Sequence, residues 1–198
     1  MANHVNSYCR VEANEDGLKV FQEIMDRVKR DPEKYEKSLG YAFWDNDEDF
    51  TYDRMIEEVG AKWAYTTEIE EDSVAIYSAW NYVERFFEYV AEQVGNADPG
   101  SYLVVNYEDE MPNFVGVTIF DIGGIYDNVE LDGDDVHEYI RNVDAEIAAE
   151  YNHETEDYSE LGWDYLNESM WEHIQTWQTT TVKQMIMGML GDDYIDKL

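Results

Sequence analysis

The chain has 198 residues and a formal net charge of -33, from 46 acidic and 13 basic side chains. Hydrophobic residues make up 44% and aromatic residues 15%, which excludes a disordered acidic tail and predicts a folded core. Because phosphate contacts need Lys and Arg, this composition also excludes direct binding to nucleic acid.

Four strands, two longer helices and one short helix are predicted before residue 108. Alternating apolar residues predict a strand over 3–13, and a helix then begins at a cap formed by Asn14 or Asp16. A short helix near 52–59 ends at Gly60. Two strands over 61–69 and 73–80 form a hairpin, an amphipathic helix follows over 83–94, and a strand covers 102–107.

This order of elements, βαββαβ, is the pattern of the ferredoxin-like split-βαβ fold. A further strand over 115–121 and a short one from Ile125 extend it. We therefore predict an α/β (α+β) protein with an antiparallel sheet and a C-terminal helical extension. The predicted domains are a ferredoxin-like domain over 1–131 and an acidic helical region over 132–198.

Helical spacing dominates the C-terminal region. One predicted helix after Gly133 places four apolar residues on a single face: Val136, Ile140, Val143 and Ile147. Residues 152–162 are polar and predict a loop. A final helix over 163–190 carries an apolar stripe: Trp163, Leu166, Met170, Ile174 and Trp177.

The negative charge is concentrated in the later part of the chain. Residues 1–37 hold seven basic and eight acidic side chains. Between Phe86 and Val182 there are twenty-three acidic residues and one base, Arg141. Internal ion pairs cannot neutralise such a stretch, so it generates a strong negative field.

The chain contains no complete motif for catalysis or metal binding. The acidic run from Asp45 has Phe50 and Ile56 where a calcium loop needs Gly and Glu. The four histidines lack zinc-site spacing: His4, His137, His153 and His173. We therefore expect a non-enzymatic protein without cofactor or metal.

The single cysteine and the apolar segments bear on location. Cys9 lies in an alternating strand, which predicts a buried structural thiol. No apolar run reaches the length of a transmembrane helix, and the first twenty residues lack a signal-peptide pattern. We expect a cytoplasmic protein that does not contact membranes.

Short segments of the first domain resemble a known family. They are Gly60-Ala61-Lys62-Trp63 and Ser78-Ala79-Trp80, with Asn3-His4-Val5-Asn6-Ser7 and Phe114-Val115-Gly116. Together they are similar to the YubB-type ferredoxin-like domain of phage and plasmid proteins over residues 2–130. The resemblance implies the fold and a mobile-element setting, in particular a bacteriophage, but no catalytic residues. Trp63 and Trp80 are expected to be packing residues.

Three interpretations of the acidic surface remain. First, carboxylates on successive helical turns lie about 5–6 Å apart. They would imitate phosphates and occupy the basic groove of a host DNA- or RNA-binding protein, such as a restriction enzyme, repair nuclease or CRISPR effector. Second, the C-terminal helices would dock a host RNA-processing or transcription enzyme, or form a homodimer. Third, the surface is the solvated exterior of a halophilic protein.

Mimicry assigns partner binding to acidic residues within 108–110, 127–138, 144–150 and 154–168. The candidate residues are Glu108, Asp109, Glu110, Asp134, Asp135, Glu138, Asp144, Glu146, Glu150, Glu154, Glu156 and Asp157.

Overall fold

A computed structural model describes residues 3–29, 38–45 and 50–191 of the chain. Contacts between residues divide the chain into two compact units. The first unit comprises residues 1–111 and 116–129, and the second comprises 112–115 and 130–198.

A six-stranded antiparallel sheet has the order β2-β3-β1-β4-β5-β6. Its strands are β1 (His4–Glu12), β2 (Ala64–Ile69), β3 (Ser73–Ala79), β4 (Tyr102–Asp109), β5 (Phe114–Asp121) and β6 (Gly124–Asp132). The first four strands pair as β2-β3-β1-β4, and Cys9 of β1 lies opposite Val74 of β3 and Val105 of β4. This arrangement confirms the predicted ferredoxin-like α/β fold.

The first unit contains three α-helices within its described residues. They are α1 (Glu15–Val28), α2 (Tyr52–Arg54) with a π-helical continuation over Met55–Val59, and α3 (Glu84–Ala97). The side chain of Asn14 caps α1 by accepting hydrogen bonds from the backbone of Asp16 and Gly17 at 2.9 and 3.1 Å. Gly60 ends the π-helical segment with φ of 104°, a conformation that glycine adopts readily.

The core of the first unit is built from apolar side chains of the sheet, α1 and α3. Cys9 is fully buried, as predicted, and burial raises the pKa of its thiol. The ring of Tyr107 stacks on Tyr82 at 4.0 Å between centroids. Gly116 of β5 makes this possible, since a Cβ there would lie 2.2 Å from Cζ of Tyr107.

The described part of the second unit contains three helices and a small hairpin. Its elements are α4 (Gly133–Val143), α5 (Ala145–Ala149), β7 (Tyr151–Asn152), β8 (Asp157–Tyr158) and α6 (Glu160–Leu190). The prediction that residues 136–147 form one helical face is wrong. The backbone is extended at Asp144, which separates α4 from α5, and Val143 is 52% exposed. The predicted loop over 152–162 also contains the β7–β8 hairpin and the start of α6.

A separate hydrophobic cluster supports the second unit. Its buried residues are Val115, Val136, Ile140, Ile147, Tyr158, Leu166 and Ile174. Met170 and Trp177 of the predicted α6 stripe are partly buried against it, whereas Trp163 is 39% exposed. Most of the predicted stripe is therefore core, and it fixes α6 against α4, α5 and the hairpin.

Candidate partner-binding surface

Four acidic side chains follow one line along α6. Glu160, Asp164, Glu168 and Glu172 recur every four residues, and all four are exposed. Residues four apart on a helix are neighbours on the same face, with Cβ atoms about 5–6 Å apart. This α6 row extends over about 18 Å at the helical rise per residue.

The α6 row has no internal neutralisation. Within the parts of the chain described by the structure, none of its four carboxylates has a basic partner. The first base of α6 is Lys183, more than two turns beyond Glu172. Like charges at this spacing destabilise a helix by about 0.2–0.5 kcal/mol per pair. The row therefore opposes the stability of the helix that carries it.

The predicted candidates on α4 and α5 are mostly exposed. Asp134 and Asp135 lie in the first turn of α4, Glu138 lies one turn later, and Glu146 lies in the first turn of α5. Acidic residues in a first turn are favoured by the helix dipole. Three of these four carboxylates thus have a local stabilising role in addition to their contribution to the surface charge.

Asp144 acts as a structural residue between two helices. Its backbone N–H donates to Ile140 and closes α4, while its carboxylate accepts from the backbone of Glu146 and Ile147 at 2.9 and 3.1 Å. His173 Nε2 lies 3.1 Å from the same carboxylate. The hydrogen bond from Ile147 is the main cause that lowers the pKa of Asp144, and those from Glu146 and His173 add to it against partial burial.

The candidates around the β7–β8 hairpin differ in their exposure and hydrogen bonds. Glu154 and Glu156 are exposed, and Glu156 adopts a left-handed φ of 54° in the turn. Asp157 accepts a hydrogen bond from the indole of Trp163 at 3.1 Å. Glu150 is half-buried and accepts from the hydroxyl of Ser159, so it supports the start of α6.

The three candidates of the first unit do not behave alike. Asp109 is fully buried and accepts hydrogen bonds from Asn3 Nδ2 at 3.0 Å and from the backbone of Met111 at 2.7 Å. It is therefore excluded as a contact residue. Glu110 is exposed and lies 3.1 Å from Nδ1 of His4, and Glu108 is half-buried.

Arg141 is enclosed by aromatic side chains. Its guanidinium carbon lies 4.2 Å from the ring centroid of Tyr151, and Nη1 donates to the hydroxyl of Tyr158 at 3.1 Å. No carboxylate of the described residues lies within ion-pair distance of it. The nearby ring of His137 is partly buried, and burial together with the Arg141 charge lowers the pKa of that histidine.

The two tryptophans of the YubB-like signature have different surroundings. Trp63 belongs to an aromatic cluster with His4, Tyr65 and Tyr77, with centroids 5.4 to 6.0 Å away. Trp80 is 53% exposed with φ of 73°, and Nζ of Lys62 lies 5.0 Å above its ring. The prediction of a packing role is therefore wrong for Trp80.

The described residues contain no group of three or more His, Cys, Asp or Glu side chains placed to hold a metal ion. None of the helices in residues 3–29, 38–45 and 50–191 has the length and apolar character that a membrane span requires. Comparisons with family models, curated proteins and solved structures found no match to this chain. The YubB-type resemblance stays a prediction.

The predicted range 154–168 includes Glu160, Asp164 and Glu168 of the α6 row, but Glu172 lies outside it and none of the four is among the twelve named candidates. The regular spacing of four is visible in the sequence, but with so many acidic residues around it the spacing alone does not single out the row. Trp171 lies beside Glu172 on α6 and is 39% exposed. Exposed tryptophan is typical of binding surfaces, where it supplies contact area.

Proposed function

We propose that this protein is a non-enzymatic, phage-encoded inhibitor that imitates the charge of a nucleic acid. Its second unit would occupy the basic groove of a host DNA- or RNA-binding protein and exclude the natural ligand. Restriction enzymes, repair nucleases and CRISPR effectors have such grooves. The phage origin rests on the YubB-like segments of the first unit.

The observation that carries this proposal is the unneutralised charge of the second unit. Residues 130–182 contain fifteen acidic side chains and one base, Arg141. That base is held by Tyr151 and Tyr158 instead of a carboxylate. A protein that used its acids only for its own stability would pair them with its bases. Here the charge is left available to a cationic partner.

The α6 row gives this charge a regular spacing. Its carboxylates follow each other at about one helical turn, or about 5–6 Å, a separation similar in scale to that of phosphates along a strand. Because α6 is packed onto a hydrophobic cluster, the backbone that carries these carboxylates is already ordered before a partner binds. Exposed Trp171 would add contact area that salt does not weaken.

The test compares capture by two variants of equal charge. In the row variant, Asp164→Asn, Glu168→Gln and Glu172→Gln remove three carboxylates from α6. The control variant, Glu23→Gln, Glu68→Gln and Glu71→Gln, removes three exposed carboxylates of the first unit. Tagged proteins are incubated with nuclease-treated bacterial lysate at low and high salt, and captured proteins are identified by mass spectrometry.

Mimicry predicts capture of a basic nucleic-acid-binding protein that duplex DNA displaces and that high salt releases. The row variant should bind the purified partner at least about tenfold more weakly, and the control should not. Capture that resists salt and DNA but is lost in Trp171→Ala would favour an adaptor that uses the C-terminal helices. A fold that forms only in molar salt would favour halophilic adaptation.

A further inference from the structure

The two edges of the sheet are protected differently. β2 is six residues long, and a register shift between Thr66 and Glu68 interrupts its pairing with β3. β6 is nine residues long and forms the other edge, with β5 as its one neighbour among the described strands. Edge strands present unpaired N–H and C=O groups, and irregularities such as the β2 shift hinder pairing with another chain. β6 is therefore the open edge.

The side chains of β6 favour a particular kind of added strand. Ile125, Tyr126 and Val129 are exposed by 42%, 47% and 37%. Side chains of a strand alternate between its two faces, so Ile125, Asp127 and Val129 share one face, and Tyr126 and Glu130 lie on the other. Opposite charges stabilise cross-strand pairs and like charges destabilise them. With a net charge of -33 on each copy, self-pairing is opposed. A strand with apolar residues opposite Ile125 and Val129 and basic residues opposite Tyr126 and Glu130 is complementary, and such a strand alternates.

A cleft of about 630 Å³ opens at the start of β6. Four glutamates line it: Glu57, Glu58, Glu88 and Glu92. Glu58 is engaged by Arg54 and Trp44, but the other three have no basic partner in the described parts of the chain. Phe43 and Tyr89 form an aromatic wall with centroids 4.8 Å apart, and Arg85 is the one basic residue of the lining.

Close packing fixes the cleft relative to the strand. A Cβ on Gly95 of α3 would lie 2.6 Å from Cβ of Ile122, so the β5–β6 turn lies directly on the helix. A Cβ on Gly124, the first residue of β6, would lie 3.9 Å from Oε1 of Glu88. An added strand that continues past Gly124 would therefore reach the cleft.

We propose that β6 accepts an extended basic segment of a partner protein as an added strand, whose Lys or Arg side chain enters the cleft beside Gly124. Main-chain hydrogen bonds along β6 supply affinity in this mode of recognition, and side-chain pockets supply specificity. Carboxylates and aromatic rings together bind an ammonium or guanidinium group. This goes beyond the proposed function, because it requires no nucleic-acid-binding groove in the partner.

The probe is a fluorescent peptide of alternating valine and lysine, as long as β6. A second peptide has the same sequence with methyl groups on its central backbone nitrogens, which keeps the charge but prevents strand pairing. Fluorescence anisotropy gives the affinities, and amide chemical shifts of the protein locate the binding. The methylated peptide should bind at least about tenfold more weakly, because several main-chain hydrogen bonds are lost.

Matched variants separate three contributions to peptide binding: pairing with β6, contacts in the cleft and the general negative charge of the protein. Val129→Lys on β6 should weaken peptide binding several-fold more than Thr67→Lys on β2, although both add one positive charge. Glu88→Gln with Glu92→Gln should cost about three- to tenfold. The control, Glu23→Gln with Glu68→Gln, removes equal charge from other surfaces and should cost less than about twofold.

Equal binding of both peptides, or no saturable binding of the unmodified one, would overturn the proposal. Shifts confined to α4, α5 and α6 would also overturn it. The variant neutralised in the α6 row should still bind the peptide at β6, because those carboxylates take no part in strand pairing. A failure of nucleic-acid mimicry and a failure of strand addition therefore give different results.

Discussion

Neutralising Glu168, in the middle of the α6 row, is expected to stabilise the protein while it weakens partner binding. Glu168 has a like-charged neighbour on each side, Asp164 and Glu172, and no basic neighbour in the described structure. Two repulsive pairs of about 0.2–0.5 kcal/mol each give an expected gain of about 0.4–1 kcal/mol for Glu168→Gln. Helix propensity adds little, since Glu and Gln are nearly equal.

Urea unfolding followed by circular dichroism measures this gain at low and high salt. In 1 M salt the screening length falls to about 3 Å, so the difference should disappear. Glu160→Gln is the informative comparison, because it relieves one repulsive pair but removes an acid that the helix N-terminus favours by about 0.3–1 kcal/mol. Its net effect should be near zero or destabilising.

A neutral or destabilising effect of Glu168→Gln at low salt would contradict the repulsion, since the carboxylate would then make an attractive contact. A gain that persists in molar salt would also contradict it, since the effect would then not be electrostatic. A gain in stability with a loss of capture would mean that the row is retained for binding at a cost to the fold.

Other expected outcomes concern the framework around the sites. Asp144→Ala should cost about 1–2 kcal/mol in urea unfolding by removing the cap of α5, while Asp144→Asn keeps most of it. Because the folded-state pKa of Asp144 is lowered, its ionic stabilisation is complete above about pH 4 and is lost as the pH falls through that lowered value. Gly116→Ala should cost about 1–3 kcal/mol through its clash with Tyr107. An equal cost in a Tyr107→Leu background would contradict the clash. Cys9 should react with Ellman's reagent only on unfolding, and rapid reaction of the native protein would contradict its burial.

The ferredoxin-like core could be predicted because its periodicities are strong. Alternation in β1 and helical spacing in α1 and α3 reflect one buried face in each element. The sequence predicts β6 only as a short strand, since an edge strand exposed on both faces shows little alternation. A single sequence does not reveal which strands become edges, because pairing between distant segments decides it.

The acidic candidates show the same limit at the level of single residues. Asp109 is one of the three candidate acids predicted in 108–110, yet it continues the inward parity of Leu103, Val105 and Tyr107 in β4. The alternation that places Asp109 inward can be recognised in the sequence.

The break between two helices at Asp144 cannot be predicted from residue spacing alone, because a side-chain cap can end one helix and start the next without disturbing the apolar period. Packing of the hydrophobic cluster then decides which carboxylates face solvent.

The enclosure of Arg141 has a practical consequence for studying complexes of this protein. It is the one site for trypsin between Phe86 and Val182, and its guanidinium is bonded to Tyr158 and stacked on Tyr151. Trypsin should therefore leave this segment intact in the native protein. Lysine-directed cross-linkers will find no target there either, so carboxyl-directed reagents and a glutamate-specific protease are needed to map a partner.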